Sequence, residues 1–318
     1  MDTNQFKEKF DGTVDAISSV VLGQRDTVEH ALIALLSGGH LLLEGVPGLG
    51  KTLLVRAFSR AIGCSFRRIQ FTPDLMPSDV TGSNVFSQKT SSFEFVPGPV
   101  FTQLLLADEI NRAPAKTQSS LLEAMQETSV TTDGVTRLLP RPFLVLATQN
   151  PIESQGTYPL PEAQLDRFLL KVNIDYPAEE VERSLLDAYV RGFDPQVLEI
   201  PQVLRPEELE EMRVFAESVQ VQPEILDYIT RLVTSTRSHR SIDVGASPRA
   251  SIGLLKTARA HAAKEGRDFV IPDDVKSLAR AVLRHRIVLH PDAELEGVTP
   301  DDVIASILVE TSVPGGTT

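Results

Sequence analysis

The chain has 318 residues, of which 42% are apolar and 23% charged, so it is a globular protein large enough for two domains. Its net charge of −12 argues against a general nucleic-acid binder, and no apolar run approaches the roughly 20 residues that cross a bilayer. The lack of a recognisable secretory signal and the single cysteine, Cys64, lead us to expect a protein of the reducing cytoplasm.

The first 38 residues are predicted to form a helical lead-in. Apolar residues recur at helical spacing between Phe6 and Ile17, and a second apolar helix over about 26–37 ends at a pair of glycines. The short apolar run 40–44 then indicates the first buried strand.

Residues 45–52 read Gly-Val-Pro-Gly-Leu-Gly-Lys-Thr, which is the G-x-x-x-x-G-K-T pattern of a phosphate-binding loop. They lie between the predicted strand and a predicted helix, as that pattern requires. The glycines let backbone N–H groups turn toward phosphate oxygens, and the helix N-terminus adds partial positive charge. Lys51 is expected to reach the β- and γ-phosphates, and Thr52 to offer its hydroxyl to Mg²⁺. The residues predicted to contact the nucleotide here are Gly45, Val46, Pro47, Gly48, Leu49, Gly50, Lys51, Thr52 and Leu53.

Two hairpins are predicted to interrupt the alternation of strands and helices. After a second strand, 66–71, the segment 82–99 has two runs of aromatic and β-branched residues on either side of a polar stretch. In the segment 129–139, the pair Asp133-Gly134 lies between alternating residues, which is a strong hairpin signal. A helix over about 115–127 is predicted between the two hairpins.

The apolar run 101–107 predicts another strand, which ends in the acids Asp108 and Glu109. Near a phosphate loop, Asp108 is expected to hold Mg²⁺ and Glu109 to polarise the water that attacks the γ-phosphate. Alternatively, the two acids cap the segment that follows. Because the carboxyl ends of parallel strands form one edge of a sheet, we expect Lys51 and both acids to lie together.

Asn150 and Arg167 are two further candidates for the same site. Asn150 ends the next buried strand, 143–148, where its amide could bond the γ-phosphate or orient the attacking water. An Asn before Pro is also common turn chemistry. Arg167 precedes the last strand, 171–174, and could reach a neighbour's γ-phosphate in a ring, although a surface arginine is usually only solvated.

From about residue 177 the pattern becomes helical, which predicts a second, all-α unit. The predicted helices are 178–190, 206–219, 223–238, 248–265, 272–284 and 300–311. Arg249 lies in the first turn of the helix that begins at Pro248, where the helix dipole disfavours a cation. A cation there indicates a nearby anion, and a nucleotide phosphate is one candidate.

Together these residues resemble the AAA+ ATPases, and more closely the MoxR family. The resemblance covers about residues 20–290 and rests on long stretches in the same order. The stretches are GHLLLEGVPG (39–48), FTPDLMPSD (71–79), DEINRAP (108–114), LLEAMQE (121–127) and LPEAQLDRF (160–168).

The resemblance implies an α/β fold, in which a P-loop AAA+ core with a parallel sheet flanked by helices is followed by an all-α lid domain. The implied division is 1–38 for the helical lead-in, 39–176 for the nucleotide-binding core, 177–313 for the lid and 314–318 for a disordered tail. The two hairpins, at about 82–99 and 129–139, become inserts of the core that point toward the centre of a ring.

The resemblance also implies Mg²⁺-dependent ATP hydrolysis in a homo-oligomeric ring, usually a hexamer. The implied roles are Walker A for Lys51 and Thr52, Walker B for Asp108 and Glu109, sensor 1 for Asn150, the arginine finger for Arg167 and sensor 2 for Arg249. Whether Arg249 acts on the nucleotide of its own subunit or of a neighbour stays open.

Such ATPases often act as chaperone-like factors that remodel or mature a protein complex, together with a partner that carries a von Willebrand factor A domain. The client is then expected to be a separate protein. Two other functions stay open: a DNA-dependent motor or chelatase-like subunit, and a non-hydrolytic, nucleotide-gated scaffold. The net charge of −12 argues against the DNA-dependent motor. The carboxylate at Glu109 argues against the scaffold.

Overall fold

The structure is a computed structural model that describes residues 1–46, 48–150, 157–194, 197 and 200–314. The strands of the described residues are β1 (Leu41–Glu44), β2 (Phe66–Gln70), β3 (Gly82–Ser87), β4 (Ser92–Pro97), β5 (Leu104–Asp108), β6 (Ser129–Thr132), β7 (Val135–Leu138), β8 (Leu144–Gln149), β9 (Leu170–Asn173), β10 (Ile242–Val244) and β11 (Val288–Leu289).

The helices alternate with these strands in the first half of the chain and dominate the second half. They are α1 (Thr3–Ser18), α2 (Arg25–Leu36), α3 (Lys51–Ala61), α4 (Pro77–Thr81), α5 (Ala115–Glu127), α6 (Glu162–Leu165), α7 (Glu179–Val190), α8 (Pro206–Ser218), α9 (Pro223–Ser235), α10 (Pro248–Lys264), α11 (Pro272–Leu283), α12 (Pro291–Leu295) and α13 (Pro300–Glu310).

Five strands form a central sheet in the order β2-β5-β8-β1-β9, and all neighbours in it are parallel. The registers place Gln70 beside Asp108, and Glu44 beside Gln149. The carboxyl ends of β1, β2, β5 and β8 therefore lie at one edge, which is where parallel α/β sheets bind their ligands.

Apolar side chains cover both faces of this sheet, as a parallel sheet between helices requires. In β5, Leu104 and Leu106 pack into a core with the N-terminal helices, α3 and much of the lid. Leu105 and Ala107 point to the opposite face and pack into a second core with α5. This alternation confirms the predicted fold class, a parallel sheet flanked by helices and followed by a helical lid.

Both predicted hairpins are present, as the antiparallel pairs β3–β4 and β6–β7. They contact each other through two pairs of side chains. Asn84 donates a hydrogen bond to Asp133, and the guanidinium of Arg137 lies 3.9 Å from the centre of the Phe95 ring. Their outer surface is apolar, with Phe93 72% exposed.

The N-terminal helices are not a separate layer, because α1 packs against α3 of the core and α10 of the lid. The predicted lid helices are all present within three residues of their expected ends. The sequence prediction missed the short helices α4, α6 and α12, and the two-stranded sheet β10–β11. Among the described residues, no helix has both the length and the apolar character needed to cross a membrane.

Candidate functional site

The phosphate loop joins the end of β1 to the start of α3. Gly48 has a φ of +89° and Gly50 a φ of +73°, both in the left-handed region that side chains with a Cβ rarely adopt. Gly50 is also the N-cap of α3, where the first turn of the helix leaves its N–H groups without helical partners. The glycines of the motif thus build a site for an anion at a helix N-terminus.

Lys51 is the first residue of α3, and its ammonium group lies inside the loop. Its Nζ donates a 2.5 Å hydrogen bond to the carbonyl of Gly45. Burial lowers the pKa of Lys51 below its ordinary value of 10.5, whereas the negative charges of Asp108, Glu109 and Glu44 raise it. The cation and the two acids predicted at the site therefore lie close enough to interact.

Asp108 is the last residue of β5, and two neighbouring strands hold its carboxylate. Arg68 of β2 donates a 2.7 Å bond to Oδ2, and the hydroxyl of Thr148 in β8 donates a 2.6 Å bond to Oδ1. The same Thr148 oxygen accepts a 2.8 Å bond from the backbone N–H of Glu109. Thr148 therefore fixes the side chain of one acid and the backbone of the other.

Glu109 lies just after β5 with a φ of +56°, an uncommon conformation for a residue with a side chain. Gln70 at the end of β2 donates a 2.6 Å hydrogen bond to its Oε2, and the same oxygen pairs with Arg112 Nε at 3.1 Å. Sequence reasoning missed Arg68, Gln70 and Thr148. The signal that could have found them is the pairing of β2 and β8 with β5, which places their carboxyl ends beside the acids.

A cavity of about 290 Å³ lies at this edge of the sheet. It is lined by the residues predicted from three strands and by the three that were missed: Gly45, Gly48, Gly50, Lys51, Thr52, Arg68, Gln70, Asp108, Glu109, Thr148 and Asn150. Asn150 is buried and follows β8 directly. The structure thus brings together Lys51, Thr52, both acids and Asn150.

The other residues predicted in the loop differ in their surroundings. Leu49 and Leu53 are partly buried and pack against the core, so their contribution at this position is apolar packing. The carbonyl of Leu49 accepts a 2.7 Å hydrogen bond from Gln24 Nε2. Val46 is partly buried, and Pro47 lies outside the described residues.

The residues lining the cavity suit a nucleoside triphosphate with Mg²⁺. A helix N-terminus and an ammonium group bind phosphate oxygens, while the hydroxyl of Thr52 and the carboxylate of Asp108 are oxygen ligands of the kind that Mg²⁺ prefers. A larger cavity of about 800 Å³ lies between α9 and α13. Its lining contains neither the glycine loop nor the acid pair, so we assign the nucleotide site to the smaller cavity.

The predicted arginines lie together at a different surface. Arg167 follows α6, Arg249 is in the first turn of α10, and both line a cleft of about 210 Å³ with Lys256. Among the described residues, none that lines this cleft also lines the phosphate-loop cavity. In its own subunit, Arg249 is therefore beside Arg167 and not beside the loop.

Asp166 lies where the core and the lid meet, next to these arginines. Its carboxylate accepts hydrogen bonds from Ser247 Oγ at 2.9 Å and from Arg286 Nε at 2.8 Å, and it is 3.6 Å from Arg249 Nη1. Arg286 also donates to the carbonyls of Phe168 and Leu169, at 2.5 Å and 3.0 Å. The guanidinium of Arg286 is buried, and these partners offset the cost of removing its charge from water.

Comparison with known proteins gives a consistent result. Residues 40–170 match the family model of the ATPase family associated with various cellular activities (AAA), and residues 234–307 match that of the AAA lid domain. The chain is 48% identical to the uncharacterised protein YeaC of Bacillus subtilis, over 95% of this chain and 93% of YeaC. It is 46% identical to Chaperone MoxR1 of Mycobacterium tuberculosis, over 94% of this chain and 80% of that protein.

A solved structure agrees with these matches. The crystal structure of a proposed ATPase from Cytophaga hutchinsonii superposes on the chain with a TM-score of 0.90 and 41% sequence identity. The superposition covers 98% of this chain and 96% of that one.

Proposed function

The chain belongs to the MoxR family of AAA+ ATPases, and we propose that it hydrolyses ATP with Mg²⁺ in a ring of identical subunits. The observation that carries this proposal is the cavity that joins Lys51, Thr52, Asp108, Glu109 and Asn150 at one edge of the sheet. The separate position of the two arginines supports the ring.

We assign the binding of ATP to the phosphate loop. The N–H groups of the loop and of the first turn of α3 bind the phosphates, and Lys51 bonds the β- and γ-phosphate oxygens. Thr52 and Asp108 would hold Mg²⁺, which supplies positive charge to the β- and γ-phosphates when bound. Arg68 and Thr148 keep the carboxylate of Asp108 in one orientation.

We assign the activation of water to Glu109. Its carboxylate takes a proton from the water whose oxygen attacks the γ-phosphorus, while the bond from that phosphorus to the bridging oxygen breaks and ADP leaves. Gln70 and Arg112 orient the carboxylate through Oε2. Asn150, at the end of the neighbouring strand, would bond the γ-phosphate or the attacking water.

We assign the arginine finger to Arg167, acting on the nucleotide of a neighbouring subunit. Arg167 makes no ion pair within 4.0 Å with any residue that the structure describes, so its charge is available to a partner outside the subunit. An arginine finger is worth about 10³–10⁵ in rate. Because Arg249 lines the same cleft as Arg167, we propose that it also acts on the neighbour's nucleotide.

The ring would serve as a chaperone-like remodelling or maturation factor for a protein complex. The similarity to Chaperone MoxR1 supports this role. A ring size of six, a client protein, a partner with a von Willebrand factor A domain and a cytoplasmic location are part of the same proposal. Nucleic acid is not its expected ligand, because the net charge of the chain is −12.

The test is the ATPase rate per subunit over a wide range of protein concentration, with Glu109→Gln as the blank. We expect the rate to climb and then saturate, because each site needs a neighbour's arginine. Arg167→Ala should abolish the rise, and Arg60→Ala, which changes an exposed arginine of α3, should not.

Two results would contradict the proposal. A Glu109→Gln variant that hydrolyses ATP at the wild-type rate would contradict the assignment of water activation to Glu109. An ATPase rate per subunit that stays constant at concentrations where mass measurements show only monomers would contradict the proposal that hydrolysis needs a ring.

A further inference from the structure

Arg167 and Arg249 come from distant parts of the chain and line one cleft. Arg167 belongs to the connection between α6 and β9, whereas Arg249 belongs to the lid. Two cations on one cleft repel each other, and a nearby anion offsets that repulsion. The candidate for that anion is Asp166, which precedes Arg167 in the chain and lies 3.6 Å from Arg249.

Asp166 is bound from the lid at both of its carboxylate oxygens. Ser247 Oγ donates to Oδ2 at 2.9 Å, and Arg286 Nε donates to Oδ1 at 2.8 Å. Ser247 is the N-cap of α10, so its position and that of Arg249 in the first turn are linked. The carboxylate therefore connects the residue before Arg167 to the start of the helix that carries Arg249.

Arg286 extends this connection along the backbone that follows Arg167. Its side chain is 3% exposed, and it donates to the carbonyls of Phe168 and Leu169 and to Val282 in α11. A buried guanidinium with this many partners has little freedom to move. By contrast, the Arg249 side chain is 53% exposed and its distance to Asp166 is long, so it can turn toward another ligand.

We propose that Asp166 is a positioning residue that holds Arg167 and Arg249 as one cationic pair, presented to the nucleotide of the neighbouring subunit. This inference rests on the proposed function, because it needs the finger to act between subunits. Its consequence is that the lid and the finger move together, since Ser247 and Arg286 both belong to the lid side and both bind Asp166.

The first experiment replaces the charge of Asp166 while keeping its shape. Asp166→Asn should lower kcat for ATP about 10–100-fold, which is the typical cost of a misplaced group. Its Kd for a fluorescent ATP analogue should stay within about twofold of the wild type, because Asp166 does not line the phosphate-loop cavity. Asp301→Asn is the matched control, since Asp301 pairs in the same lid with Arg284 at 2.7 Å, and its kcat should stay within about twofold.

The decisive readout is the mixing of variants in one ring. Asp166→Asn subunits keep Glu109, and Glu109→Gln subunits keep an intact arginine face. In a 1:1 mixture each can complete the other's site, so we expect recovery to roughly a quarter of the wild-type rate from random neighbours. A purely structural defect in Asp166→Asn would not be recovered by mixing.

Arg167→Ala mixed with Glu109→Gln is the reference for this recovery. If that mixture recovers and the Asp166→Asn mixture does not, the positioning role is wrong while the ring proposal stands. If the Arg167→Ala mixture also fails, the finger between subunits is wrong and this inference falls with it.

A second variant covers the case in which Asp166→Asn does not fold. Ser247→Ala removes one hydrogen bond to Asp166 and the N-cap bond from the N–H of Arg249, and it should lower kcat by several-fold, with recovery on mixing. An unchanged kcat in folded Ser247→Ala, or an undiminished effect of Ser247→Ala when Arg167 is already alanine, would overturn the proposal.

Discussion

Gln70 Nε2 lies 2.6 Å from Glu109 Oε2, so the last residue of β2 holds the acid that follows β5. This contact follows from the register of the sheet, in which Gln70 is the neighbour of Asp108. The carboxylate that we propose to activate water thus has a preferred orientation before any water reaches it. The side chain at position 70 should therefore affect the chemical step more than the binding of ATP.

We expect Gln70→Ala to lower kcat about tenfold and to leave KM for ATP within about threefold, because a carboxylate held by Arg112 alone spends less time in the reactive orientation. Steady-state ATPase assays check this. Gln103→Ala is the control, because Gln103 immediately precedes the first residue of β5, at the end of the strand away from Glu109. There its side chain forms hydrogen bonds with Ser65 and Arg141. An equal loss in both variants would show that the effect of Gln70 is one of general stability.

Thr148 has two hydrogen bonds that its isostere valine cannot make. In Thr148→Val, both Asp108 Oδ1 and the Glu109 N–H lose a buried partner, which should reduce the free energy of unfolding by about 1–3 kcal/mol. The Mg²⁺ concentration for half-maximal ATPase should rise, because only Arg68 then holds the carboxylate of Asp108. Thr148→Ser keeps the hydroxyl and should show neither change. Thermal unfolding and a Mg²⁺ titration of the ATPase rate separate the two effects.

His40 is buried with its ring in one tautomer. Its Nδ1 accepts a hydrogen bond from the backbone N–H of Val145, so Nε2 carries the proton and donates to the carbonyl of Met125. Burial lowers the pKa of His40 from 6.5 to about 4. Between these two pH values the unfolded chain binds a proton that the folded protein does not.

The free energy of unfolding should therefore fall as the pH falls from 6.5 to 4, by about 3 kcal/mol from His40 alone. Urea denaturation at pH 7 and pH 4.5 measures the loss. His40→Gln should be less stable at pH 7 but should lose less stability on acidification than the wild type. His285, whose pKa burial also lowers, is present in both proteins and cancels in the comparison. Equal losses in the two proteins would contradict the assignment.

Cys64 is 4% exposed, and burial together with the charge of Glu207 raises the pKa of its thiol to about 12. We expect iodoacetamide at pH 8 to alkylate the native protein at least about 10³-fold more slowly than the urea-unfolded chain, because the thiolate is the reacting form. Mass spectrometry over time follows the alkylation. Rapid labelling of the native protein would show that the thiol is accessible and ionised.

Much of the fold follows from local sequence patterns. The helices α8, α10 and α13 begin at Pro206, Pro248 and Pro300 as predicted, since proline at the first helical position is a local signal. The sheet β10–β11 could not be predicted in this way. Its strands have three and two residues, and their partners are more than forty residues apart in the chain.

Some residues of the candidate site can likewise be predicted from local patterns, and others cannot. Lys51, Thr52, Asp108, Glu109 and Asn150 follow from a motif and from strand ends, so the sequence was enough to nominate them. The residues that hold the acids come from neighbouring strands, and they depend on the order of the sheet, which no short pattern contains. The position of Arg249 depends on how the lid packs, through Asp166 and Ser247.

The two hairpins are fastened to each other, through Asn84 with Asp133 and through Phe95 with Arg137. The chain runs from β4 into β5, which ends at Asp108, and from β7 into β8, which leads to Asn150. Because of these contacts, we expect the two hairpins to move as one unit. We therefore expect a displacement of either hairpin to reach both β5 and β8, the strands that lead to Asp108 and Asn150.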